Sequence, residues 1–119
     1  MTAISVPDEV RAQWEAAATA DPPDALALSN LGILTAGEGD LTRGRAMLER
    51  AVEVDASNPR AWSNLAAVRA TQHDFAGARD AYGAAAERSP RDPAPLHHVG
   101  RLARGQLRQG YRAVLRYPR

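Results

Sequence analysis

Apolar positions along this chain fall into short segments of helical spacing separated by polar breaks. Leu28, Leu31 and Leu34 form one stripe, and Trp62, Leu65 and Val68 form another. Leu41, Met47, Leu48, Ala51 and Val52 make a third between them. Residues three and four apart share one face of an α-helix, so each stripe predicts an amphipathic helix. Helix-start residues stand where the stripes begin. Asp24, Asp40, Asn58, Asp74 and Asp92 each precede an apolar run, and their side chains can accept the free N–H groups of a first turn. Pro59 and Pro93 fit the first helical position, where no N–H is needed. Ser5 with Asp8 suggests a similar cap on the first helix. Gly37-Glu38-Gly39 and Thr71-Gln72-His73 read as turns. The pattern predicts about seven helices, over 6–20, 25–37, 41–55, 59–71, 75–88 and 93–108, with a short last one near 110–117 before Pro118.

The pattern repeats. A shift of 34 residues superposes the sequence on itself. Leu28, Trp62 and Leu96 align, as do Leu31, Leu65 and Val99, and Gly32, Ala66 and Gly100. Later in the unit Val10, Gly44 and Ala78 align, then Trp14, Leu48 and Tyr82, then Ala17, Ala51 and Ala85. Asn30, Asn64 and His98 share a position, and so do Pro22, Ala56 and Pro90. Small residues at fixed places allow antiparallel helices to approach closely. A helix of about 13 residues is marginal alone. Its stability must come from its neighbours, as in a solenoid.

This register resembles the tetratricopeptide repeat, whose pattern is W-x2-L-G-x2-Y, then A-x3-F, then P. The fullest copy, 59–92, reads Trp62, Leu65, Ala66, Ala78, Tyr82, Ala85 and Pro90, with Arg69 at the place of the tyrosine. The copy at 25–58 has Leu28, Leu31, Gly32, Gly44, Leu48 and Ala51. The resemblance implies an all-α, antiparallel helix-turn-helix solenoid forming one domain over 1–119. A half repeat or cap lies at 6–24, full repeats at 25–58 and 59–92, and a partial repeat with a basic capping helix at 93–119.

Composition narrows the chemistry. The chain has no cysteine, so disulfides and thiolate metal sites are excluded. All fifteen basic residues are arginine. The N-terminus lacks the charged and apolar regions of a signal peptide, and no apolar run is long enough to span a bilayer. A cytoplasmic protein without membrane contact is expected. His97 and His98 are neighbours, so on a helix they point about 100° apart and are poorly placed to share a metal. The glycines of "GEGDLTRG" lack the lysine of a phosphate loop. Trp14, Trp62 and Tyr82 fit the repeat core. No catalytic constellation, cofactor or metal site is expected.

In tetratricopeptide proteins the first helix of each repeat lines a concave groove. The resemblance assigns groove positions to Leu26, Ser29 and Ile33, to Arg60, Ser63, Asn64 and Ala67, and to His97, Arg101 and Arg104. Ser29 and Ile33 stand where some members carry the lysine and asparagine of a carboxylate clamp, so such a clamp is not expected. Residues 1–24 carry net charge −4, 25–58 carry −2, 59–92 carry +1 and 93–119 carry +6. Arg108, Arg112 and Arg116 extend the basic end. The expected function is a non-enzymatic adaptor or scaffold that receives a peptide or helix of a protein partner, with acidic groups meeting the basic end. The alternative is a self-assembling module joined head to tail by its charge gradient, a homo-oligomer. Nucleic acid is the weakest reading, because lysines and interleaved aromatics are missing.

Overall fold

A computed structural model describes residues 6–104. Five complete helices run α1 (Asp8–Thr19), α2 (Ala25–Gly37), α3 (Leu41–Val54), α4 (Pro59–Thr71) and α5 (Phe75–Arg88), and the described part of a sixth, α6, covers 94–104. The helix expected near 110–117 lies outside the described residues.

The starts obey local chemistry. The Asp24 carboxylate accepts the Leu26 and Ala27 N–H groups, Asp40 accepts that of Arg43, and Asn58 accepts that of Arg60. Asp74 accepts the Gly77 N–H at 2.9 Å, and Asp92 accepts the Ala94 N–H at 3.0 Å. Each satisfies a first-turn donor that has no partner within the helix. Pro59 occupies the first position of α4. At α6 helical geometry begins one residue after Pro93, whose carbonyl accepts the His97 N–H.

The first helix departs from the expected cap. Its N-cap is Pro7, with no side-chain hydrogen bond. A helix starting at Asp8 puts that residue inside the first turn, where its charge favours the dipole without capping. Ser5 lies outside the described residues. The turns inside the pairs both need left-handed backbone: Gly39 has φ 106° and His73 has φ 63°. Glycine meets that demand freely, whereas histidine meets it with its Cβ crowded.

The largest contacts are α2 with α3 and α4 with α5. Smaller ones join α1 to α2, α3 to α4 and α2 to α4. The chain is therefore a stack of antiparallel pairs, with α2, α4 and α6 as the first helices of their units and α1, α3 and α5 as the second. The α2–α3 crossing is tight because both helices present glycine. A Cβ on Gly44 would lie 2.7 Å from the Gly32 carbonyl oxygen. In the α4–α5 pair the same positions hold Ala66 and Ala78, both completely buried.

Two apolar clusters hold the stack. One gathers Leu48, Val52, Leu65, Val68 and Tyr82 across α3, α4 and α5, with Val99 and Leu102 of α6 packed against it. The other joins Ala18, Leu28, Leu31 and Ala51, with Trp14 and Met47 alongside. Trp62 is only half-buried. Its Nε1–H donates to the Ala56 carbonyl at 2.8 Å, and the Arg88 guanidinium lies 5.0 Å over its ring, a cation–π contact.

Arg69, at the pattern's tyrosine position, is mostly covered. It donates to the Gly77 carbonyl at 3.1 Å and to Glu49 of the preceding pair at 3.3 Å. Arg45 reaches in the opposite direction, to Gln72 at 3.2 Å and Asp74 at 2.9 Å. These two arginines tie consecutive units together through fixed guanidinium forks.

Candidate partner-binding groove

The first helices α2, α4 and α6 carry all ten expected groove positions. Their places differ in exposure, and the differences follow from the stacking. Leu26, in the first turn of α2, is 54% exposed. Ile33, two turns on, is half-buried against the larger cluster. Ser29 is 2% exposed, and its hydroxyl accepts a hydrogen bond from the Asn64 amide at 3.3 Å. That bond is where α2 and α4 meet. Its polar capacity serves the joint between units, so Ser29 is a buried spacer there and not an open contact point. Asn64, Ser63 and Ala67 are half-buried on α4, and Arg60 is exposed at its start.

On α6, His97, Arg101 and Arg104 are exposed. His98 joins α6 to α5 at this end. Its ring stacks on Tyr82 with centroids 4.8 Å apart. Its Nδ1 lies 2.9 Å from a terminal nitrogen of Arg101. A guanidinium can only donate, so Nδ1 accepts and the imidazole is neutral here. Burial holds His98 below its ordinary pKa, and the neighbouring Arg101 and His97 push it in the same direction. Burial also raises the Tyr82 phenol above its ordinary value. The stacked pair is thus a neutral patch on which α6 sits, with Arg101 directed by it. Among the described residues no carboxylate forms an ion pair with Arg101 or Arg104. Arg108, Arg112 and Arg116 lie outside the described residues.

The structure brings Ser29 to Asn64, and Arg101 to His98. It leaves Leu26 and Arg104 on the first and last units of the stack. It also shows a feature absent from the sequence reading. A half-open cleft of about 520 Å³ lies between α1 and α3, floored by Leu28 and Leu31 of α2. Arg11 and Glu15 line one side and Arg43 and Arg50 the other. Arg11 forms an ion pair with Glu38, which also lines the cleft. Those partners are 27 residues apart, so no local spacing announces them. Among the described residues no three metal-ligating side chains converge, and no helix is long and apolar enough to cross a membrane.

No family model matches the sequence, and no curated protein matches it. Solved structures do match. One is the first tetratricopeptide-repeat domain of Spaghetti (RPAP3), bound to the HSP90 peptide SRMEEVD. It superposes with a TM-score of 0.75 over 84% of this chain and 79% of the other, at 17% identity. That superposition shows that this chain has the tetratricopeptide-repeat fold.

Proposed function

We propose that this chain is a non-enzymatic adaptor of the cytoplasm that receives an extended peptide or a helix of a partner protein on the concave face made by α2, α4 and α6. The observation that carries the reading is the pair Arg101 and Arg104. Both are exposed on the groove side of α6 by register, and among the described residues neither is ion-paired. Unpaired guanidiniums receive carboxylates in bidentate fashion. Support comes from the Spaghetti domain, whose peptide carries two glutamates and an aspartate. Leu26 and Ile33 supply apolar contact at the other end, and the small residues Ser63 and Ala67 leave room for a chain between them. Ser29 and Ile33 offer no lysine or asparagine, so the carboxylate groups are met by arginine at the α6 end.

The test is affinity capture from cell lysate with the wild type and with Arg101→Glu/Arg104→Glu. The variant should lose the captured protein while its circular dichroism stays helical, because both residues are exposed. Equal loss on reversing Arg112 and Arg116 instead, or loss on nuclease treatment of the wild type, would overturn the reading. In the second case the arginines would be meeting phosphate. The head-to-tail alternative uses the charged ends of the solenoid instead of its groove.

A further inference from the structure

The two joints between successive second helices share one plan, and one of them lacks a part. Between α3 and α5, over α4, two arginines fill the gap. Arg45 of α3 reaches Gln72 and Asp74. Arg69 of α4 donates to the Glu49 carboxylate and to the Gly77 carbonyl. A shift of 34 residues carries this set to the joint of α1 and α3 over α2. Arg11 then falls at the place of Arg45, Glu38 at that of Gln72, Asp40 at that of Asp74 and Glu15 at that of Glu49. The first arginine is present and paired, since Arg11 reaches Glu38. The second is replaced: Thr35 stands where the other joint has Arg69.

The cleft of about 520 Å³ lies at that replacement. Thr35 lines it, together with Glu15 and Arg43, the counterparts of Glu49 and Gly77. The threonine hydroxyl donates to the Met47 sulfur at 3.7 Å, a weak acceptor. Among the described residues Glu15 forms no ion pair. The carboxylate and carbonyl positions that hold a guanidinium in one joint therefore recur in the other without one. The apolar floor of Leu28 and Leu31 suits the aliphatic stem of such a group. The volume falls within the roughly 300–1,000 Å³ of ligand sites.

The rim adds a second requirement. Arg43 and Arg50 lie about two turns apart on α3 and line the cleft opposite Glu15. Both are exposed, and among the described residues neither is ion-paired. In the filled joint their places hold Gly77 and Ala84. A lone cation would meet repulsion at this mouth, whereas an arginine with acidic neighbours finds a partner for each charge. Neither segment outside the described residues has that composition. Residues 1–5 carry no charged side chain, and 105–119 carry arginines but no acid.

We infer that the cleft between α1 and α3 binds an arginine side chain of a partner protein, presented on an extended segment with acidic residues beside it. The guanidinium takes the position that Arg69 holds in the next joint, against Glu15 and the Arg43 carbonyl. The acidic neighbours meet the Arg43 and Arg50 guanidiniums. This site uses none of the groove residues on α4 and α6 and stands or falls apart from them.

Calorimetric titration of the full chain tests this with a blocked peptide, Glu-Ala-Arg-Ala-Glu, and with the same peptide carrying citrulline, which keeps the shape and removes the charge. The arginine peptide should bind at least about tenfold tighter, the change expected when a hydrogen bond to a charged group is lost. Glu15→Gln should remove that difference. Thr35→Arg should abolish binding and raise the melting temperature, because it supplies the missing guanidinium from within. If Thr35→Arg does not fold, Glu15→Gln still decides, since Glu15 is exposed and unpaired among the described residues. Arg101→Glu/Arg104→Glu should bind the peptide as the wild type does. Loss in that variant would place the peptide in the concave groove and overturn this inference while leaving the adaptor reading in place. A wild type that binds neither peptide, equal binding of the two, or binding retained in a folded Thr35→Arg also overturns it. So does blocked arginine alone binding as tightly as the peptide, because the cleft would then take a small cation and no partner segment.

Discussion

Adding one methyl group at Gly44 and at Gly83 should move stability in opposite directions. Both glycines lie inside helices, α3 and α5. Replacing an interior helix glycine by alanine gains about 1 kcal/mol from propensity alone, because the unfolded chain loses freedom. At Gly83 a new Cβ meets nothing within 4 Å, so that gain stands in full. At Gly44 it would lie 2.7 Å from the Gly32 carbonyl oxygen, 2.8 Å from the Ala36 Cβ and 2.9 Å from the Ala36 nitrogen. Two of these are backbone atoms of α2, which cannot rotate away, so the helices must separate. Overpacking of this kind costs roughly 1–3 kcal/mol. With three close contacts the upper part of that range applies, and offsetting the propensity gain leaves a loss of about 1–2 kcal/mol. Against a total stability of about 5–15 kcal/mol, that is easily measured. Urea unfolding followed by far-ultraviolet circular dichroism gives both values. If Gly44→Ala stabilises as much as Gly83→Ala, α2 and α3 do not cross at Gly32 and Gly44, and the packing described above is wrong.

His73→Gly should stabilise the chain by about 0.5–1 kcal/mol, because a residue with a Cβ is strained at φ 63° by more than glycine's extra entropy costs. An unchanged or lower urea midpoint would show that the turn is not held left-handed. Stability should also fall on mild acidification through His98. Its folded pKa lies below the ordinary value near 6.5, so the unfolded chain binds the proton more readily. The stabilisation is present above the ordinary pKa and is lost as pH falls towards the folded value. The melting temperature should therefore drop between about pH 7.5 and about pH 5.5 in the wild type, and drop less in His98→Gln. Equal drops in both would remove His98 as the cause.

The helices and their starts were legible because they are local. Asp24, Asp40, Asn58, Asp74 and Asp92 accept N–H groups two or three residues ahead, a distance that the chain itself imposes. The stack followed from a periodic arrangement of large and small residues, since Gly32 and Gly44 let two helices touch. The cap on α1 was misplaced for a local reason too: with the helix beginning at Asp8, Pro7 takes the cap position and has no side-chain acceptor.

Other features required the fold. Ser29 has the spacing of a groove residue, yet its hydroxyl serves Asn64, 35 residues away. Arg69 departs from the repeat pattern, but the fold gives it Glu49, 20 residues back, and the Gly77 carbonyl. The cleft between α1 and α3 is lined by residues from α1, α2 and α3, which lie far apart along the chain. Sequence by itself determined which segments become helices and which residues lie on each face, because those follow from backbone geometry within a turn or two. Only the tertiary structure decided which of those faces are covered, because burial depends on residues brought together from distant parts of the chain.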